Sequence, residues 1–191
     1  MSKIILASAS PRRKEIMELM GLNFIVRPSQ CEEIITETVP ARIVMELSKQ
    51  KAEDVARTAE DGDIIIGADT IVVLGNRILG KPHDRGQAFE MIRSLAGGIH
   101  HVFTGVTIIK GNQRETFNEC TEVHVACMSD AEINEYLDKG EYGDKAGAYG
   151  IQGSFAPFIT GINGDYYNVV GLPAAALYKK LKQVTDVKEK I

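Results

Sequence analysis

Apolar and polar positions alternate along the chain between short strand-like runs and helical stripes. Lys3–Ala7 holds a brief apolar run and predicts a buried strand. Ser10 stands as a cap before Pro11, which suits a first helical position because its missing N–H costs nothing there. Ile16, Met17 and Met20 give that helix its apolar face, and Gly21 suits its end. Phe24–Arg27 reads as extended. A charged loop, Ser29–Thr38, then leads into a helix from about Pro40 to Thr58, with Ile43, Val44, Leu47 and Val55 on its buried stripe. Ile64–Ala68 is continuous and apolar, the mark of a central strand. Ile71–Leu74 and Arg77–Leu79 flank Gly75-Asn76 as a hairpin. Asp84 can cap a helix through Leu95 that carries Ala88, Met91, Ile92 and Leu95 on one side. Two long extended segments follow, about His101–Lys110 and Thr116–Cys127, joined near Gly111-Asn112. Ser129 and Glu132 fit a capping box for a helix to Lys139, stopped by Gly140. A last helix runs from near Pro173 to Gln183.

The pattern predicts an α/β protein. Its economical form is a single domain over residues 1–185, with a large twisted mixed sheet and helices on its faces, and a polar tail over 186–191. The chain's 191 residues suffice for one well-buried domain and are short for two.

Composition then removes whole classes. With 22 Lys and Arg against 26 Asp and Glu, the net charge is −4, which argues against a general DNA or RNA coat. No apolar run nears the ~18–20 residues of a membrane span, and the N-terminus lacks a secretory core. Cys31, Cys120 and Cys127 have no metal-type spacing and read as thiols in a reducing compartment, so a cytoplasmic protein is expected.

Glycine is uneven: 8 of the 18 glycines fall between Gly140 and Gly171. Either tight turns or a backbone surface for a flat or charged ligand would demand this.

Common catalytic signatures are absent, including the dinucleotide and P-loop glycine motifs, GxSxG and HExxH. Candidate chemistry is scattered over junctions instead. Ser8-Ala9-Ser10-Pro11-Arg12-Arg13 lies between the first strand and first helix, where a helix start and two arginines favour an anion. Asp69, in Gly67-Ala68-Asp69-Thr70, sits where an apolar run surfaces, and a carboxylate there can hold a divalent metal or take a proton from water. Lys81 precedes the stiff Pro82. Lys51 lies within the long helix, and Glu32-Glu33 in the charged loop could complete a metal site. Gln152, inside the glycine cluster, can both donate to and accept from a base edge.

At these residues the chain resembles the Maf family of nucleoside triphosphate pyrophosphatases, from roughly Lys3 to Gln183. The shared elements are ILASASPRR, QKA at Gln50–Ala52, GADTIV at Gly67–Val72, KPHD at Lys81–Asp84, AFEMIRSL at Ala88–Leu95, DKAGAYGIQG at Asp144–Gly153 and GDYYNVVGLP at Gly164–Pro173. The resemblance implies an elongated fold with a deep cleft, similar to the inosine triphosphate pyrophosphatases. It implies a hydrolase of acid anhydrides that splits a nucleoside triphosphate into monophosphate and pyrophosphate. The cofactor implied is a divalent metal cation: Mg²⁺, Mn²⁺ or Co²⁺. The marks of the branch acting on dTTP and UTP fall on Arg12, Thr70 and Gln152, so pyrimidine nucleotides, modified ones included, are the expected substrates. The family's general base falls on Asp69. Where the family commonly reads Asp-Glu, this chain has Glu32-Glu33, and Glu33 keeps the matching carboxylate.

The expected mechanism is metal-assisted attack of water on the α-phosphorus. Asp69 handles the water and, with Glu33, the metal. Ser8, Arg13, Lys51 and Lys81 hold phosphate, while Arg12, Thr70 and Gln152 read the base. The partner is the triphosphate, not nucleic acid or membrane; a homodimer stays open. Two alternatives stand beside it: a nucleotide-binding regulator of cell division and septum formation with incidental turnover, and a phosphatase-like enzyme releasing orthophosphate.

Overall fold

Ile4–Leu6 form the centre of a parallel ladder. The computed structural model describes residues 2–185; the expected polar tail, 186–191, lies outside the described residues. The strands are β1 (Ile4–Leu6), β2 (Phe24–Val26), β3 (Ile64–Leu74), β4 (Arg77–Leu79), β5 (Ile99–Lys110), β6 (Gln113–Val125) and β7 (Ile159–Asn163). The helices are α1 (Pro11–Leu19), α2 (Pro40–Ala56), α3 (Arg85–Leu95), α4 (Asp130–Asp138), α5 (Tyr166–Val170) and α6 (Ala174–Thr185). The strands make one seven-stranded mixed sheet in the order β2-β1-β3-β5-β6-β7, with β4 paired to β3. β1 is parallel to both β2 and β3, with Leu6 opposite Val26 and Ile66. β3–β4 and β6–β7 are antiparallel. Both parallel and antiparallel pairs are present, as the predicted mixed sheet requires.

The chain divides into two compact units. Among the described residues, the first comprises 2–69, 104–119 and 171–185; the second comprises 70–103 and 120–170.

In the first unit, α2 lays its apolar stripe on the sheet. Ile5, Ala7, Ala52, Val55, Ile65 and Ile109 form one buried cluster there. The approach is close enough to exclude side chains at two points. A Cβ on Gly67 would come 2.8 Å from the Ala52 amide nitrogen and onto the Ser48 carbonyl, and one on Gly105 would meet the Val44 carbonyl. The buried Ser48 hydroxyl is satisfied by Thr107 Oγ1 at 2.9 Å.

In the second unit, α3 packs on α4. Ala88, Ile92 and Leu95 are buried on one helix, and Ile133, Tyr136 and Leu137 on the other. Asp84 caps α3 by accepting from the Gln87 amide at 2.7 Å. Ser129 and Glu132 form the expected capping box on α4. The glycine-rich stretch makes tight turns here. Gly147 and Ala148 both take left-handed backbone, at φ +69° and +63°. A side chain on Gly147 would press on Val72.

Several boundaries differ from the sequence reading. Ile64–Ala68 and Ile71–Leu74 are one eleven-residue strand, not two. Asp69 and Thr70 are half-buried within its ladder and do not end it, because polar side chains do not interrupt main-chain pairing. β5 starts two residues early, at Ile99, because alternation continues through the buried His100. β6 begins at Gln113, immediately after the tight Gly111 turn, and ends at Val125 rather than Cys127. Ser10 does not cap α1 with its side chain; its own amide instead donates to Ser8 Oγ at 3.3 Å. β7 and α5 were not expected, since glycines and turn residues mask their short apolar patterns.

Candidate active site

In the first unit, the parallel register brings two chain ends to the same edge. Ala7 N–H still bonds the Ile66 carbonyl at 2.8 Å, and the chain then leaves β1 at Ser8 while β3 continues to Asp69. In α/β sheets, this carboxyl end of parallel strands is where ligands bind.

Ser8 and Arg13 are each only 8% exposed. The Arg13 guanidinium spans two fixed acceptors, donating from Nε to the Gly171 carbonyl at 2.8 Å and from Nη1 to Ser8 Oγ at 3.0 Å. Burial lowers the Arg13 pKa. The negative charge of Asp69 opposes that, the Arg12 charge lowers it further, and Glu33 raises it again. Arginine remains charged through such a shift. Arg13 therefore lies in the field of both predicted carboxylates.

α2 supplies the group that joins them. The Gly67 contact sets the helix against β3, and Lys51 reaches across. Its ammonium donates to Asp69 Oδ1 at 2.5 Å and pairs with Glu33 Oε1 at 2.9 Å. Lys51 and Asp69 side chains are 16% and 13% exposed, whereas Glu33 is 49% exposed. One cation thus bridges a shielded carboxylate and an open one.

Five of the expected residues, Ser8, Arg13, Glu33, Lys51 and Asp69, form this cluster, with the half-buried Arg12 beside Arg13. Arg13 and Lys51 offset the Glu33 and Asp69 carboxylates within this cluster. Among the described residues no group of three His, Cys, Asp or Glu could hold a metal by itself. Glu33 and Asp69 nevertheless fit a hard divalent cation that arrives with a triphosphate. Magnesium needs only one or two carboxylates when phosphate oxygens and water complete its six ligands. Both carboxylates already turn an oxygen to one shared cationic group, the Lys51 ammonium.

Three expected residues belong to the second unit. Thr70 is half-buried in β3, and Lys81 is exposed beside the buried Pro82. Gln152 is exposed in the turn after the left-handed pair. That turn is anchored from below. Tyr136 donates to the Ala148 carbonyl at 3.0 Å, and Tyr149 OH meets His100 Nε2 at 2.7 Å.

Sequence reasoning missed a further set. Glu46, Gln50 and Asp54, on one face of α2, take hold of the loop that carries Glu33. The one available signal was that Gln50 adjoins Lys51 in the QKA motif.

The sequence matches the family described as Maf-like protein over residues 3–184. A dTTP/UTP pyrophosphatase of Lachnoclostridium phytofermentans is 50% identical over 188 residues, covering 96% of this chain and 95% of its own. Another from Agathobacter rectalis is 49% identical, with 96% and 98% covered. Among solved structures, a HAM1 protein from Coxiella burnetii aligns over 67% of this chain and 75% of its own, with 13% identity and a TM-score of 0.45. No helix among the described residues is long and apolar enough to cross a membrane.

Proposed function

The chain belongs to the Maf-like protein family, and we propose that it hydrolyses dTTP and UTP to the monophosphate and pyrophosphate. The observation that carries this reading is the Glu33–Lys51–Asp69 bridge beside the buried Arg13, in a chain about half identical to relatives named for that reaction.

Water is a poor nucleophile, and a triphosphate carries about four negative charges, so the site must orient one and neutralise the other. Asp69 takes the proton of the attacking water. Lys51 occupies Oδ1, so Oδ2 is the oxygen that receives it. As the water oxygen bonds to the α-phosphorus, the bond to the bridging oxygen breaks and pyrophosphate leaves. Arg13, held by Ser8 and Gly171, offers a pre-aimed fork to phosphate oxygens. Lys51 adds a point charge, and Lys81 is assigned the same task from its motif. A divalent cation held by Glu33 and Asp69 would supply further charge neutralisation and Lewis acidity. Arg12, Thr70 and Gln152 are the base readers in this proposal. We take residues 1–185 as the catalytic domain, acting on the cytoplasmic nucleotide pool.

The relatives' shared name favours turnover over a purely regulatory role in septum formation. The test incubates the purified protein with dTTP, UTP, CTP and GTP, with Mg²⁺, Mn²⁺, Co²⁺ or EDTA. The expected result is pyrophosphate from dTTP and UTP, lost with EDTA. Orthophosphate as the first product, or binding without release, overturns it.

A further inference from the structure

The loop that carries Glu33 is not held by its apolar residues: Ile34 and Ile35 are 59% and 56% exposed. It is held by three α2 side chains spaced one turn apart. Asp54 Oδ2 accepts from Ser29 Oγ and the Gln30 amide, both at 2.9 Å. Glu46 accepts from the Thr36 amide at 2.9 Å, the Thr36 hydroxyl at 2.5 Å and the Glu37 amide at 3.3 Å. Between them, Gln50 takes both main-chain groups of Ile34. Its Oε1 accepts from the Ile34 amide at 3.0 Å, and its Nε2 donates to the Ile34 carbonyl at 2.5 Å. Gln50 thus pairs with the loop as a neighbouring strand would.

We infer that Gln50 is a positioning residue for Glu33, and that segment 29–37 is a strap whose seating on α2 sets the Glu33 carboxylate against Lys51. The inference rests on the proposed catalytic role of Glu33. The Ile34 amide belongs to the planar peptide joining Glu33 to Ile34, so holding it fixes the backbone on which Glu33 stands. Gln50 and Lys51 are consecutive, so one turn of helix grips both the Glu33 backbone and its carboxylate. The ion pair could not do this alone. A pair with a half-exposed partner is weak in water, too weak to order a long side chain on an unanchored loop. The Gln50 amide is uncharged and takes no part in the proposed chemistry.

The test compares Gln50→Ala, Gln50→Glu, Glu33→Gln and the double variant Glu33→Gln/Gln50→Ala. In protein free of metal and nucleotide, Ile34 amide hydrogen exchange in Gln50→Ala should rise at least about tenfold. With dTTP, kcat should fall about tenfold while KM changes less than about threefold, as for loss of a group supporting a site ligand. Gln50→Glu keeps an acceptor for the amide but opposes the carbonyl with a carboxylate, so its values should lie between wild type and Gln50→Ala. The double variant should be no slower than Glu33→Gln, because both changes remove one device. Additive losses, unchanged Ile34 exchange, or normal kcat in Gln50→Ala beside an impaired Glu33→Gln would overturn the positioning role alone. Normal turnover in Glu33→Gln would overturn the Glu33 assignment, and the inference with it.

Discussion

Asp69 meets Lys51 through one oxygen, so exchanging its carboxylate for an amide keeps the size and removes the basicity. Asp69→Asn should lower kcat by about a hundredfold to ten-thousandfold, the usual worth of a positioned base, while dTTP binding stays within about tenfold. Steady-state kinetics and equilibrium titration check the two halves, and turnover near wild type would remove Asp69 from the chemistry. At this scale five residues of the candidate site were legible. Ser8, Arg13, Glu33, Lys51 and Asp69 stand at strand ends, helix starts or in compact motifs, and each carries a group that phosphate chemistry uses. Their mutual geometry was not legible, because it depends on the β1–β3 register and on how closely α2 approaches the sheet. Glu46, Gln50 and Asp54 were hidden for another reason. Polar residues at helical spacing look like a solvated face until the loop they hold is seen.

The element that sets the Lys51–Asp69 distance is the α2–β3 contact at Gly67. Main chain meets main chain there, so neither element can yield by changing a rotamer. Gly67→Ala should cost about 1–3 kcal/mol, the range for overpacking, and should also move Lys51 relative to Asp69. Gly105→Ala makes the same kind of clash against Val44, away from the cluster, and serves as the control. Thermal melts should show both variants destabilised, with kcat per folded molecule falling only in Gly67→Ala. An equal fall in both would mean the contact carries no catalytic spacing. Element identity was mostly legible from periodicity and caps. It failed where side chains misrepresented the main chain: at Asp69-Thr70, polar inside a continuous strand, and at Ile159–Asn163, where Gly161 dilutes a real one.

For the whole molecule, acid should act in two stages. His100 is fully buried, its Nε2 bonded to Tyr149, and burial, with a smaller effect of the His101 charge, pushes its pKa from 6.5 to about 4. Between those pH values the unfolded chain binds a proton that the folded one refuses. Stability therefore falls as pH falls through this window, by about 3 kcal/mol in all, and the effect saturates below it. Glu46, Asp54, Asp63, Glu132 and Glu141 are held below their ordinary values, Glu46 first by the Thr36 hydroxyl and the others first by main-chain amides. Their contribution is fully present above about pH 5 and disappears as pH drops through the lowered values. Melting temperature against pH should show both stages, and His100→Gln should flatten only the first. A first stage that persists in that variant would place its origin elsewhere.

The strap on α2 bears on salt tolerance. Its ladder joins two carboxylates and one amide to uncharged loop groups at 2.5–3.3 Å. Mobile ions weaken charge pairs that are solvent-exposed and well separated, over a Debye length of about 8 Å at physiological ionic strength, and barely touch direct hydrogen bonds. Brine should therefore weaken the capture of a polyanionic nucleotide while leaving the backbone that carries Glu33 seated. The protein separates how strongly it attracts its substrate, which follows the ionic medium, from how accurately it holds its own site, which does not.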